Sequence, residues 1–292
     1  MPAPWLSDAE ARLRDAGVDS PRHDAVALAA RAAGITHGAV VGLSEKPDGF
    51  DELIARRARR VPLQHLTGLV AFRHVDVRVG PGVLVPRPET EVVAGEAILA
   101  ARRARALGVP APLVVDLGTG SGAIACAVAQ EAPGCRVHAV DDDAEALRWA
   151  RDNVERWRDA HPDNPSTIAV HQEDLRQAAL PGGVLADVAG QVDVVVSNPP
   201  YVAAAVTQPE ALHDPPQALY AAGEDPASLV LAVLDAAAVL LRAGGGVVVE
   251  HAEEQAERVL AAALDRGFDE CRTGRDLTGR PRYLAAIAAG AS

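Results

Sequence analysis

Asn198-Pro199-Pro200-Tyr201 closes an apolar run, Val192-Asp193-Val194-Val195-Val196-Ser197, that reads as a buried strand. Two consecutive prolines remove two amide donors and fix two φ values, so the chain leaves the strand in a rigid, extended form that holds its carbonyls in place. In that form the Asn198 side-chain oxygen and the Pro199 backbone carbonyl can each accept one hydrogen of a planar NH2 group. An amide or amino nitrogen of that kind is a poor nucleophile, because its lone pair is delocalised. Two fixed acceptors on its hydrogens aim the lone pair and favour pyramidalisation as a new bond forms, with no strong base required. Tyr201 is placed to cover the planar group and exclude water; the alternative is a strand-end aromatic packed in the core.

A second group of residues can hold the reagent that such a nitrogen attacks. Val114-Val115-Asp116-Leu117-Gly118-Thr119-Gly120-Ser121-Gly122 ends a strand and opens a helix, and its glycines let backbone approach a ligand closely. Asp141 follows at the end of the next strand, where a carboxylate can accept from both hydroxyls of a ribose. A dinucleotide enzyme would carry an acid there too, but its pyrophosphate loop is spaced G-x-G-x-x-G, whereas this one reads G-T-G-S-G. That spacing favours S-adenosylmethionine, which has no phosphate for a helix N-terminus to hold. After the third strand, Asp174 can accept from an adenine amino group and Leu175 can pack on the ring. Asp142 and Asp143 read as caps of the helix that follows.

These residues need a scaffold, and the chain alternates short apolar runs with helical stretches, the pattern of a parallel sheet covered by helices. Strands are predicted over 113–117, 136–140, 167–170, 192–197, 246–250 and 282–288, with helices near 89–107, 123–131, 144–160, 227–242 and 253–266. Every proposed ligand residue then falls at a carboxyl end of a strand, where open α/β sheets place their sites. Upstream, Ser7 with Glu10 forms a capping-box pattern and Gly17 a stop. Ser20-Pro21 starts a second helix that stops at Gly34, and a third runs from about Asp51 to Arg60. Val75, Val77 and Val79 alternate with polar residues, and Gly80-Pro81-Gly82 is predicted to turn that strand into Val83-Leu84-Val85 as a hairpin. The expected division is a helical domain over 1–70, a hairpin connector over 71–86 and an α/β domain over 87–292.

Of the 292 residues 23% are charged and the formal net charge is −12, yet residues 1–70 are balanced at nine basic and nine acidic. The acidity of the remainder repels a phosphate backbone and suits a sulfonium cation. Arg56, Arg57, Arg59 and Arg60 read as a solvated helix face, or as a contact to ribosomal RNA. Cys126, Cys135 and Cys271 have no CxxC pairing and no histidine cluster beside them, so they read as small buried hydrophobes and no metal is expected. No leader pattern and no span of about 20 apolar residues is present, which predicts a cytoplasmic protein without a membrane partner.

With these motifs the sequence resembles the HemK/PrmC family of protein-(glutamine-N5) methyltransferases. The resemblance extends through Ser20-Pro21-Arg22-His23-Asp24-Ala25, Arg60 to Gly68, Val85-Pro86-Arg87-Pro88-Glu89-Thr90-Glu91, the D-L-G-T-G-S-G loop, Asn198 to Tyr201 and Asp276-Leu277-Thr278-Gly279-Arg280. It implies a class I S-adenosylmethionine-dependent methyltransferase: a Rossmann-like seven-stranded sheet with a reversed last strand, behind a small all-helical N-terminal domain that helps grip a protein. The implied reaction is methylation of the glutamine amide in the Gly-Gly-Gln motif of peptide-chain release factors. Gly118, Thr119, Gly120, Ser121, Gly122, Asp141, Asp174, Leu175 and Asn198 would surround the donor, and Asn198, Pro199, Pro200 and Tyr201 would hold the glutamine, with Asn198, Pro199 and Tyr201 catalytic. The chain departs from the family pattern at Glu250-His251-Ala252 and at Ala222 to Pro226. A glutamine methyltransferase for a ribosomal protein would use the same chemistry. So would an adenine-N6 methyltransferase, but the charge balance counts against nucleic acid. A non-enzymatic binding module would have no need of Asn198 beside Pro199.

Overall fold

Pro4 opens the first helix, ahead of the Ser7 and Glu10 pair that the sequence offered as its start. In the computed structural model, which describes residues 3–203, 207–221 and 225–290, α1 spans Pro4–Asp15. A proline at the first helical position needs no donor and has its φ preset, so the helix begins there without a side-chain cap. Glu10 instead pairs with Arg14 at 2.6 Å. α2 (Pro21–Ala33) keeps its expected proline start and ends on Gly34 at φ +66°. A 3-10 turn at His37–Gly42, α3 (Phe50–Ala58) and α4 (Leu63–Thr67) complete the helical unit. Leu13, Leu28, Phe50 and Ile54 are buried in its core, with Trp5 edge-on to Phe50 at 5.1 Å. Each such side chain contributes roughly 1.5–3 kcal/mol by leaving water.

Residues 207–214 fold with this unit. They bring Glu210 to Arg60, which reaches both carboxylate oxygens at 2.7 and 2.8 Å. Arg57 spans Glu210 at 2.9 Å and Asp24 at 2.6 Å, and Arg57 and Asp24 are both buried. The arginine run is therefore not a uniform solvated face: Arg57 and Arg60 are neutralised within the unit, while Arg59 stays exposed.

The larger unit opens with a hairpin whose partner strand differs from the expected one. β1 (Leu69–Phe72) pairs with β2 (Val75–Arg78) through Arg73 and His74, so β2 turns back on residues upstream and not on Val83 to Val85, which form no strand. Gly-Pro-Gly is the stronger local turn signal, and a tertiary anchor overrides it. Arg73 adopts φ +51° while its guanidinium grips both Glu131 oxygens at 2.6 and 2.8 Å and the Glu91 carbonyl at 2.9 Å. Asn153 ties the other end of the hairpin to the Arg78 backbone in both directions.

The main sheet contains β3 (Leu113–Leu117), β4 (Arg136–Asp141), β5 (Thr167–Gln172), β6 (Val192–Ser197), β7 (Leu241–Glu250), β8 (Phe268–Arg275) and β9 (Pro281–Ala288). Its order is β5-β4-β3-β6-β7-β9-β8, parallel from β5 to β7, with β9 antiparallel to its neighbours. Helices α5 (Pro88–Ala106), α6 (Ala123–Glu131), α7 (Ala144–Ala160), α8 (Pro216–Leu219), α9 (Ser228–Leu240) and α10 (Ala256–Asp265) follow the strands. α5 and α9 pack on β6 and β7, and α10 on β8 and β9. This is the Rossmann-like, seven-stranded, reversed-last-strand architecture that the resemblance implied.

Two strands differ from the expectation. β7 begins at Leu241, because Leu241 pairs with Val192 before Arg242 to Gly245 bulge out and Gly246 rejoins opposite Val194. Buried Asp193 holds that bulge by accepting from Arg242 Nε at 2.6 Å. β8 was absent from the predicted set: it is an edge strand, largely exposed, whose pattern is interrupted at Glu270 with φ +50°. Cys126 and Cys135 are buried, as expected of small hydrophobes, and Cys271 is half-buried. Of the departure at Ala222 to Pro226, residues 222–224 lie outside the described residues. Asp225 accepts from the Ala227 amide at 3.1 Å and pairs with Arg258.

Candidate active site

Sheet topology brings the proposed residues to one end of the larger unit. β3 runs beside β4 on one flank and β6 on the other, so the chain reverses its direction of winding at β3 and leaves a crevice beyond the strand ends. The Ser197 hydroxyl donates to the Leu117 carbonyl at 2.6 Å and locks the two strand ends together. Immediately beyond lie Gly118 on one strand and Asn198 on the other. A cleft open to solvent is lined here by Gly118, Gly120, Asp141, Asp174, Leu175, Asn198 and Pro200.

Three loop residues assigned to the donor turn away from this cleft. Thr119 is buried and its hydroxyl donates to Asp116 Oδ2 at 2.6 Å. Ser121 is buried, with its carbonyl taken by Asn153 Nδ2 at 2.9 Å. Gly122, at φ +79°, lets α6 start against α7: a β-carbon there would stand 3.3 Å from the Ala150 α-carbon. Spacing marks the loop as a unit, but its residues face different ways: Gly118 and Gly120 line the cleft, Thr119 and Ser121 are buried, and Gly122 packs against Ala150.

The acids divide similarly. Asp141 Oδ2 accepts from the Gly120 amide at 2.8 Å and Oδ1 from the Asp143 amide at 3.0 Å. Burial pushes its carboxyl up to about 6, against the pull of those two amides. Asp116 lies deeper, and burial pushes it up to about 7. Asp174 is held below the usual carboxylate range by the Arg176 guanidinium, which chelates it at the rim of the cleft. Asp143 caps α7 through the Glu145 amide at 2.8 Å, as expected, but Asp142 and Asp143 also line the cleft.

At the N-P-P-Y exit, Asn198 Nδ2 donates to the Thr90 hydroxyl at 3.0 Å, and Thr90 is itself buried in the first turn of α5. This leaves Oδ1 as the free end of the carboxamide, and among the described residues nothing donates to it or to the Pro199 carbonyl. Pro199 is buried beneath the exit. Tyr201 does not line the cleft. Its ring packs against the hydrophobic core, and its hydroxyl donates to Glu250 Oε1 at 2.8 Å. The core-packed alternative describes the ring, and the expected cover over a planar group does not. Burial and the adjoining carboxylate raise the Tyr201 phenol above its ordinary value.

Glu250 closes the other side of this network. It ends β7, fully buried, and burial pushes its carboxyl up to about 7 while the Tyr201 and Thr90 hydroxyls and the Arg282 charge pull the other way. Next to it, buried His251 holds the Ala252 carbonyl through Nδ1 at 2.8 Å, and burial lowers its pKa. Thr90 and Glu250 were not singled out from the sequence as site residues. Their only local signals were Pro-Glu-Thr-Glu at a helix start and an acid at a strand end.

Comparison with known proteins gives the same architecture a family. A family model described as methyltransferase small domain matches residues 94–275, and one described as PrmC N-terminal domain matches residues 4–68. The release factor glutamine methyltransferase of Streptomyces coelicolor is 46% identical over 291 residues, covering 96% of each chain. That of Bifidobacterium longum is 38% identical over 296 residues, covering 97% of this chain and 98% of its own. Among solved structures, a methyltransferase from Pyrococcus furiosus matches with a TM-score of 0.52 at 19% identity, over 80% of this chain and 98% of that one, a likeness of fold. Sequence identity at this level from end to end, over a sheet that gathers the glycine loop and the N-P-P-Y exit around one cleft, means that the chain belongs to the release factor glutamine methyltransferase family.

Proposed function

We propose that this protein transfers a methyl group from S-adenosylmethionine to the side-chain amide nitrogen of the glutamine in the Gly-Gly-Gln motif of peptide-chain release factors. The observation that carries the reading is the Asn198 carboxamide: its nitrogen is spent on Thr90, so its oxygen is the group offered beside the cleft.

The cleft fits the donor. Asp141 is already oriented by two backbone amides and keeps lone pairs for ribose hydroxyls, and Leu175 supplies an apolar wall for adenine. Asp174 can take the adenine amino group by sharing its Arg176 partner. Bound there, S-adenosylmethionine supplies an electrophilic methyl carbon on a sulfonium. The protein's part is to prepare the amide. Asn198 Oδ1 and the Pro199 carbonyl accept its two hydrogens, turn the nitrogen lone pair toward the donor and oppose its delocalisation, and one of those hydrogens leaves as the proton that balances the transfer. Pro200 keeps the exit rigid, and Tyr201 acts from beneath, anchored on Glu250.

The helical domain, residues 1–70, is assigned to gripping the protein substrate, with the hairpin region 71–86 connecting it to the methyltransferase domain 87–292. Arg57 and Arg60 are already paired with Asp24 and Glu210, which weakens the case for a nucleic-acid contact. Among the described residues no helix is long and apolar enough to cross a membrane, and we assign the protein to the cytoplasm, with its substrate. The test incubates the protein with labelled methyl donor and release factors carrying Gly-Gly-Gln or Gly-Gly-Ala. Label is expected in the first alone, and equal label in both would reject the target. Asn198→Ala is expected to keep donor affinity within a few-fold and lose roughly 10²–10³ in kcat, the scale of removing one preorganised dipole.

A further inference from the structure

We propose that Gln255 is a positioning residue for the amide clamp, bracing the backbone of the N-P-P-Y exit so that the Pro199 carbonyl and Asn198 Oδ1 keep a fixed spacing. The inference rests on the clamp reading above and supplies what that reading presupposes. A clamp made partly of backbone must not drift, yet Pro199 and Pro200 have no amide hydrogen with which to tie themselves down. The two acceptors must also stay open for the substrate. The near end is tied through Asn198 Nδ2 to Thr90, so the remaining hold has to come from the far end, at Tyr201.

Tyr201 and the residue after it are held at three points. The Tyr201 hydroxyl donates to Glu250 Oε1 at 2.8 Å, its carbonyl accepts from Gln255 Nε2 at 3.1 Å, and the Val202 amide donates to the Leu219 carbonyl at 2.9 Å. Of these, the Gln255 bond is the one that grips the backbone of the motif itself. Gln255 is buried at the end of the 3-10 turn Glu253–Gln255, which leads into α10. Its Oε1 accepts from the Ala252 amide at 3.1 Å, the bond of a capping-box glutamine. Capping uses one half of the carboxamide. The other half, the NH2, reaches a carbonyl 54 residues away in the segment that carries the clamp. The carboxamide has one orientation only, because the Ala252 amide can only donate and the Tyr201 carbonyl can only accept. Both partners are backbone groups, so the departure at Glu250-His251-Ala252 leaves the brace in place. Ring-locked φ values leave few soft torsions between Pro199 and Tyr201, and a shift of the Tyr201 backbone is carried to the Pro199 carbonyl. A displacement of about 1 Å at a positioning group costs on the order of a hundredfold in rate.

Two variants separate capping from bracing. Gln255→Glu keeps an acceptor for the Ala252 amide, but its ionised form has no donor for Tyr201; Gln255→Met, of similar length, has neither. The bond is read without turnover, because Tyr201-Val202 is the only Tyr-Val pair in the chain: protein labelled with 13C-carbonyl tyrosine and 15N-valine gives one correlation, from the Val202 amide to the Tyr201 carbonyl. In Gln255→Met that carbonyl resonance should move upfield, and kcat should fall roughly ten- to a hundredfold with donor Kd and release-factor KM within about twofold. In Gln255→Glu the resonance and the kcat relative to wild type should move together, both returning toward wild type as pH falls and the acid regains a proton to donate. A residue that only caps the turn would leave Gln255→Glu at the wild-type rate at every pH. An unmoved resonance in Gln255→Met, or a moved resonance with kcat within about twofold of wild type in either variant, would overturn the brace. If Gln255→Met does not fold, Gln255→Glu decides: a moved resonance with lowered kcat at high pH upholds the brace, and a wild-type resonance or rate across about pH 6 to 9 rejects it. If the wild type methylates no release factor, the functional reading fails and the carbonyl resonance alone decides: movement upholds the brace, constancy rejects it.

Discussion

Glu250 shows how a single buried acid can be read in two independent ways, through geometry and through stability. Its folded pKa of about 7 lies above the ordinary 4.5, so the folded state binds the proton more tightly than the unfolded chain does. The sign follows: its contribution to stability is fully present below about pH 4.5, is lost as pH rises toward 7, and stays lost above that. The interval corresponds to at most about 3 kcal/mol. Glu250→Gln has no charge to acquire, so the urea midpoint of the wild type should fall relative to that of the variant between pH 5 and pH 7.5. Asp116 and Asp141, also raised by burial, act equally in both proteins and cancel from the difference. A wild-type minus variant difference that is flat across this range would show that Glu250 pays no burial penalty. At this scale the sequence was legible where one short motif places residues just beyond a strand end, as at Asn198, Asp141, Gly118 and Gly120, which line one cleft. It was not legible for Thr90, which meets Asn198 across more than a hundred residues of chain, or for the inward side of the loop. Residue type cannot say which way a turn residue faces.

Elements were legible where local chemistry and tertiary demand agree. β3 and β6 are mainly apolar and buried on both faces, each with one buried aspartate, and their predicted bounds coincide with the observed Leu113–Leu117 and Val192–Ser197. The hairpin was misread because its turn is held by the Arg73 to Glu131 pairing and not by turn residues. The edge strand β8 went unread because a half-exposed edge has no apolar alternation to display. The α3 arginines make the same point, since pattern cannot separate a buried arginine from an exposed one on the same helix. Arg57 is buried between Asp24 and Glu210; Glu210 keeps Arg60, but Arg57→Ala leaves the buried Asp24 carboxylate without its cation. Breaking such a pair from one side costs about 3–5 kcal/mol, whereas Arg59→Ala, at an exposed position, should stay within about 0.5 kcal/mol. Chemical denaturation of the two variants checks this, and equal losses would return the arginines to a uniform solvated face.

For the whole molecule, the consequential feature is that two units have separate cores while the cleft proposed for the donor is lined by one of them. Leu13, Phe50 and their neighbours form the apolar centre of residues 4–66; Val195, Leu234 and their neighbours form that of the sheet. Every residue lining the cleft belongs to the larger unit. Ligand binding stabilises whatever must be folded to bind, by about 2.7 kcal/mol at a donor concentration of a hundred times Kd. If the donor touches the larger unit alone, that energy belongs to its opening and not to the helical unit's. Hydrogen exchange with and without saturating S-adenosylmethionine separates the two. Amides of β3, β4 and β6 that exchange through opening of the sheet should slow by about a hundredfold, while those of α1, α2 and α3 should keep their rates. Equal slowing in both units would mean that they open together. Slowing confined to the sheet would mean that the helical unit opens independently of donor binding.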